Sequence, residues 1–404
     1  MHESLFASPS TLARYRSALL VAERERFLQH CAEQGYTRNG LGKIAWLLRI
    51  VAQSPLVKQR VVRRADLDRM ARAYCASTRP VLIHAATQWF AFMGRPRLEA
   101  PCEGVFAKQL SAFETYMREE RGLSEMTIQT RHEQLRPFLD ALKSVRHLRS
   151  LKQIAPRHID RYFIEQSHNG WGRTSLSTLA GTLRSFFHYV EMQRWCPRGI
   201  AAAIDAPTLY AQESLPRGPD WSQVQTLIAS IRGDDPVSIR DRAVVLLLAI
   251  YGLRCGEVAA LRLEDLDFEN ELIRITRPKQ RRTQQYPLIS AVGDALVQYL
   301  RQARPRCSCR EVFLTIKAPR RALSASSISA IVRWRLRAIG AQGIPCGAHG
   351  LRHAVARHLL VKGFSFKQIG DQLGHRRAAS TSVYAKVDLK GLRQVAELSL
   401  GRLL

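Results

Sequence analysis

Between residues 207 and 219 the chain reads Pro-Thr-Leu-Tyr-Ala-Gln-Glu-Ser-Leu-Pro-Arg-Gly-Pro, and no apolar period runs through it. Proline lacks the backbone N–H and fixes φ, so neither a helix nor a central strand can continue across Pro207, Pro216 and Pro219. A chain of 404 residues interrupted there folds as separate bodies, two to four by its length, each able to bury its own core. Residues 207–219 are therefore expected to be a linker, with bodies at 1–100 and 101–206 before it and 220–404 after it.

Upstream of the linker, apolar residues recur at helical spacing. Leu12, Tyr15, Leu19 and Leu20, then Phe27, Leu28 and Cys31, then Ile44, Leu47, Leu48 and Val51 predict helices, with two more around 66–75 and 81–92. Residues 101–206 repeat the style. One helix stops at Gly122, Ser124 is placed to cap the next through Leu135, Phe138 and Leu142, and two follow over 156–166 and 175–193. A weak similarity between 27–35 and 113–122 leaves a duplicated helical module open. Beyond the linker, helices are expected over 222–230 and 238–251. Two short strands, 272–275 and 285–288, flank a basic turn, and helices return over 293–304, 326–340 and 349–363. The expected class is mainly α and multidomain, two helical bodies followed by a mixed α+β body with a small β-sheet.

Charge narrows the partner. Lys and Arg number 62 against 34 Asp and Glu, a formal net charge of +28. An excess of that size points to a polyanion, because each phosphate neutralised releases a condensed counterion. The apolar run from Ala243 to Ile250 is too short to span a bilayer and reads as a buried helix, so no membrane partner is expected. The N-terminus lacks a basic segment followed by an apolar one, so a cytoplasmic location is expected. Cysteines at 31, 75, 102, 196, 255, 307, 309 and 346 form no framework, which fits reduced thiols. Cys307-Ser308-Cys309 has no second pair at zinc spacing, and no metal or other cofactor is expected.

Two stretches carry the chemistry. The first is Gly252-Leu253-Arg254-Cys255-Gly256-Glu257, where Glu257 is spaced to orient the Arg254 guanidinium on one helical face, although a purely structural ion pair reads the same way. The second runs from His349-Gly350-Leu351-Arg352-His353 through Leu373-Gly374-His375 to Tyr384. His349 and Arg352 share a face at the start of a helix, where the dipole favours anions. A phosphodiester repels nucleophiles, so its transition state calls for cations around the non-bridging oxygens, and two arginines and a histidine can supply them. Tyrosine, with an ordinary pKa near 10, attacks at neutral pH only if a base takes its proton.

In that order and spacing, Gly-Leu-Arg254-x-x-Glu257, His349-x-Leu-Arg352-His353, Leu-Gly-His375 and Tyr384 resemble the boxes of the tyrosine recombinase (phage integrase) family, over roughly 220–400. Residues 106–200 are similar in size and character to that family's core-binding domain. The resemblance implies a DNA-binding core domain at 101–206 and a catalytic domain at 220–404. Tyr384 would attack the scissile phosphate of double-stranded DNA and form a 3′-phosphotyrosyl bond. Arg254, Arg352 and His375 would stabilise the transition state, Glu257 would support Arg254, and His349 would be the base. The family's lysine lies in a turn between two strands, often as Gly-Lys-Gly. Here the turn reads Arg277-Pro278-Lys279-Gln280-Arg281-Arg282, and Lys279, the one lysine between Glu257 and Val312, is expected to be the general acid. A homotetramer on paired sites, alone or with other recombinases, is implied, in the service of integration, excision or transposition of a mobile element. A type IB topoisomerase-like relaxing enzyme and a non-catalytic DNA-binding accessory protein are the alternatives. The apolar spacing of Leu389, Leu392, Val395 and Leu398 suggests a tail helix that packs on its own core or docks on a neighbouring protomer.

Overall fold

The computed structural model describes residues 5–6, 8–98, 105–144, 148–209, 218–277, 282–341, 347–375, 379–382 and 384. Contacts gather the chain into two units, residues 1–53 with 214–404, and residues 54–213. The first begins with α1 (Pro9–Arg16), α2 (Val21–Glu33) and α3 (Arg38–Gln53). Arg24 of α2 is fully buried, and its guanidinium donates to the carbonyls of Tyr15, Ala18 and Leu19 at 2.7, 2.9 and 3.0 Å. A buried cation thus satisfies carbonyls left open around the end of α1.

The second unit holds β1 (Val61–Val62), α4 (Arg64–Ala71), α5 (Thr78–Met93), β2 (Arg97–Leu98), α6 (Ala107–Glu119), α7 (Glu125–Ser144), α8 (Pro156–His168) and α9 (Arg173–Met192). The parallel pairing of β1 with β2 was not expected from the sequence. Helix α9 buries Leu179, Leu183, Phe186, Phe187 and Val190, the stripe its spacing predicts, and Phe113 of α6 meets Phe186 edge-on at 5.4 Å.

After the linker the first unit resumes with α10 (Trp221–Ser230), α11 (Pro236–Tyr251) and α12 (Cys255–Ala259). Asp235 caps α11 by accepting the N–H groups of Val237 and Ser238 at 3.0 and 3.1 Å, with Pro236 in the first turn, where no N–H is needed. Because α11 is apolar on nearly every face, it is buried on nearly every face. It packs against α10, α12 and the helical segments within 290–303, 325–338 and 348–361. Strands β3 (Leu266–Asp267), β4 (Leu272–Arg277) and β5 (Arg282–Pro287) form one antiparallel sheet in that order. Then come α13 (Ser290–Gln298), continued by a π-helical turn over Tyr299–Ala303, α14 (Ala325–Ala338), α15 (Ala348–Val361), α16 (Phe366–Leu373) and a short α17 (Ala379–Ser382). The fold is mainly α with one small sheet, as the sequence leads one to expect. The sheet differs in having a third strand and in running two residues further along β4. Among the described residues no helix is long and apolar enough to cross a membrane.

Gly252 fixes how α11 stops. Its φ is +63°, and a Cβ there would come within 2.5 Å of Leu373 Cδ2. Gly252→Ala should therefore cost about 2–5 kcal/mol, the sum of a left-handed penalty and overpacking. The midpoint of chemical denaturation measures it, and an unchanged midpoint would refute this account of the helix end.

Candidate active site

The turn at Gly252 leads into Leu253 and Arg254 in extended backbone, and Arg254 is the residue that caps α12. The expectation of a shared helical face is corrected here. Arg254 precedes the helix, and Glu257, three residues on, reaches back to it. One carboxylate oxygen accepts the Arg254 backbone N–H at 2.9 Å and the other accepts Nη1 at 2.7 Å. Glu257 is buried, whereas the Arg254 side chain is 42% exposed, so the guanidinium is aimed but open on one side. A partner that satisfies one edge of the fork leaves the other for an anion.

Arg352, in the second turn of α15, is 3% exposed. Nη1 donates to Gly252 O and Nη2 to Leu373 O, both at 2.6 Å. These carbonyls follow or end α11 and α16, so the cation sits where two helix dipoles present their negative ends. Burial, with Arg254 nearby, lowers its pKa to about 10, and it stays protonated at neutral pH.

Tyr384 is 2% exposed and packs with Val355, Ala356, Ile369 and Leu373. Its hydroxyl meets Nδ1 of His353 at 2.8 Å. Burial raises the tyrosine pKa, partly offset by Arg352, Arg254 and Arg357. Burial pulls His353 down to about 4, helped by His349, Arg352 and Arg357. The ring is therefore neutral at pH 7, with its proton on Nε2 when Tyr384 donates to Nδ1. His349, the base expected from the sequence, lies edge-on to His353 with centroids 4.4 Å apart and is exposed to solvent. The ring on the tyrosine is thus His353, one helical turn after His349 on the same face of α15.

His375 follows Gly374, whose φ of +62° ends α16. The backbone N–H of His375 bonds Gly370 O at 2.8 Å, and Nδ1 meets Thr381 Oγ1 at 2.7 Å. Burial first, then Arg352, Arg254 and Arg277, holds its pKa at about 4. Thr381 and Arg277 belong to the surroundings of the site although sequence spacing gave neither. Arg254, Glu257, His349, Arg352, His375 and Tyr384 are all brought to one region, while Lys279 and the tail after Tyr384 lie outside the described residues.

Residues 220–390 match the phage integrase family, and residues 110–194 match the phage integrase N-terminal SAM-like domain. A protein of Sinorhizobium fredii described as "Putative integrase/recombinase y4rF" is 31% identical over 98% of this chain and 95% of its own length. The tyrosine recombinase XerC of Pelotomaculum thermopropionicum is 29% identical over 70% of this chain and 94% of its own. Among solved structures, a XerH recombinase in a post-cleavage complex with a palindromic difH substrate superimposes with a TM-score of 0.54. It shares 17% identity over 82% of this chain and 93% of that one. A lambda integrase dimer on a COC′ core site gives 0.53 and 18%, over 69% and 94%. At those identities the structural likeness is one of fold. The chain belongs to the tyrosine recombinase (phage integrase) family, enzymes of DNA strand transfer.

The depressed histidines give a stability signature. Below the ordinary histidine value of 6.5 an unfolded chain takes up protons that folded His353 and His375 refuse until about pH 4. Their contribution is complete above pH 6.5 and is lost as the pH falls toward 4. Denaturation midpoints taken between about pH 7.5 and about pH 4.5 should fall for the wild-type chain and fall less for a His353→Asn/His375→Asn variant. Equal slopes for the two proteins would contradict the assignment.

Proposed function

We propose that this chain is a site-specific recombinase that cuts and rejoins double-stranded DNA through a 3′-phosphotyrosyl intermediate on Tyr384. The observation that carries the proposal is the meeting of Tyr384 with His353 beside the buried Arg352, which joins two motifs distant in sequence. The tyrosine oxygen attacks phosphorus, forming a P–O bond as the bond to the 5′-oxygen breaks. The tyrosine proton leaves toward His353, and Lys279 delivers a proton to the departing 5′-oxygen. Arg254, Arg352 and His375 hold the non-bridging oxygens as charge builds on them, and Glu257 keeps Arg254 aimed. His349, open to solvent beside His353, takes the proton onward. The covalent link conserves the phosphodiester energy, so a second strand's 5′-hydroxyl reseals the DNA by the reverse route without a nucleotide.

Further readings belong to the same proposal. Residues 101–206 and 220–404 act as DNA-binding and catalytic domains, joined by 207–219, with 1–100 as a helical extension. The protein works in the cytoplasm as a homotetramer on paired sites, with or without other recombinases, in integration, excision or transposition of a mobile element. The net charge of +28 supports a DNA partner, and DNA-bound structures of similar fold, among them a lambda integrase tetramer on a Holliday junction, support the assembly.

A duplex carrying the protein's own site and a nick beside the cleavage point should trap a covalent adduct, resolved by denaturing electrophoresis. Tyr384→Phe should abolish it while DNA binding persists, and an adduct that survives in that variant rejects the proposal. His353→Ala should slow adduct formation by on the order of 10²–10⁴. A rate unaffected by that change would return the proton to another acceptor.

A further inference from the structure

Arg277 occupies a place that strand geometry reserves for an apolar side chain. Ile273, Ile275 and Arg277 alternate onto the core-facing side of β4, and the first two are buried as expected. Arg277 is buried with them, its side chain only 4% exposed. Nη2 donates to Tyr286 Oη at 2.5 Å, and that hydroxyl donates onward to Gln372 O at 2.6 Å. Nη1 stands where a Cβ on residue 374 would be, so Gly374 is demanded by its neighbour as well as by its own φ. Nε has no aligned acceptor but lies 3.5 Å from Glu257 Oε1. That same oxygen accepts Nη1 of Arg254.

Glu257 therefore answers to two guanidiniums, one exposed and one buried. Paired with Arg254 alone, a buried carboxylate would cancel the charge that a phosphate is meant to meet. With Arg277 as second counterion, the three groups keep one net positive charge, and the exposed member is Arg254. A buried ion pair is weak evidence for stability, since apolar residues of the same volume often serve as well. An arginine at an isoleucine position is therefore better explained by its charge than by its packing. We propose that Arg277 is a positioning residue for the strand-transfer reaction. By sharing Glu257 it leaves Arg254 aimed yet electrostatically free to bind the scissile phosphate. This rests on the phosphate-binding role proposed for Arg254 above.

The test measures single-turnover adduct formation on the nicked duplex, with DNA affinity and thermal melting measured alongside. Arg277→Met should slow adduct formation by on the order of 10–100-fold, the worth of one charged contact, with affinity nearly unchanged. On a duplex carrying a methylphosphonate at the cleaved position, one negative charge fewer, the deficit relative to wild type should shrink. A residue that serves packing alone would show the same deficit on both duplexes. Glu257→Gln/Arg277→Met should match Glu257→Gln alone, because no carboxylate remains to be shared. That pair leaves no unpaired charge buried and carries the test if Arg277→Met fails to fold. A wild-type rate for Arg277→Met, an equal deficit on the methylphosphonate, or a double variant at least about tenfold slower than Glu257→Gln would each overturn the proposal. Absence of any adduct with the wild-type chain would instead reject the phosphotyrosyl reading itself.

Discussion

The catalytic unit depends on one buried guanidinium. Arg352 bonds the carbonyls of Gly252 and Leu373, which belong to the ends of α11 and α16, while its own backbone lies in α15. Remove it and two buried acceptors lose their partner where three helices converge, a loss of about 1–3 kcal/mol for each acceptor. The same bonds tie the Arg254 turn and the His375 turn to two nitrogens of one guanidinium. Structural and chemical demands therefore fall on the same atoms, and both turns use glycine in the left-handed region, with Leu373 against Gly252 and Arg277 against Gly374.

Burial and the surrounding charges then set the protonation states. Burial first, then the pressure of Arg352, Arg254 and Arg277 on His375 and of His349, Arg352 and Arg357 on His353, keeps both rings neutral where an isolated histidine is partly charged. Tyr384 keeps its proton, since burial outweighs the neighbouring cations. Burial holds the Tyr384 hydroxyl above the ordinary tyrosine range and His353 well below the ordinary histidine range, so proton transfer across their hydrogen bond is strongly uphill without an added anion. A phosphodiester brings the missing negative charge, which raises the affinity of the histidines for protons. Substrate thus completes an electrostatic balance that the protein leaves unfinished.

Much of this was legible in the residues. Continuous apolar character marked α11 as a buried helix, alternation marked β4, and the order of polar motifs marked the site. What escaped has identifiable physical causes. His349 and His353 are four apart on one helix face, so spacing made both eligible. The choice fell to the packing of Tyr384 against α15 and α16, which is non-local. Arg277 ended the apolar alternation and so seemed to end the strand, although register carries it into the core. Strands β1, β2 and β3 are two residues each, too short to show any period. Arg254 was expected on a helix because a spacing of three also fits a capping residue and its third successor.

The burial of Tyr384 has a consequence for fidelity. Its ring belongs to a small apolar cluster with Val355, Ala356, Ile369 and Leu373. Any movement that carries the hydroxyl out to a phosphate must uncover part of that cluster. For an aromatic side chain the full exposure amounts to as much as about 4–6 kcal/mol at the usual coefficient. An encounter with random DNA, offering only backbone charge, is poorly matched to meet that demand. On the mechanism proposed above, a site engaged along its full length would be better able to do so, and the safeguard against stray nicks would be the cohesion of the enzyme's own interior.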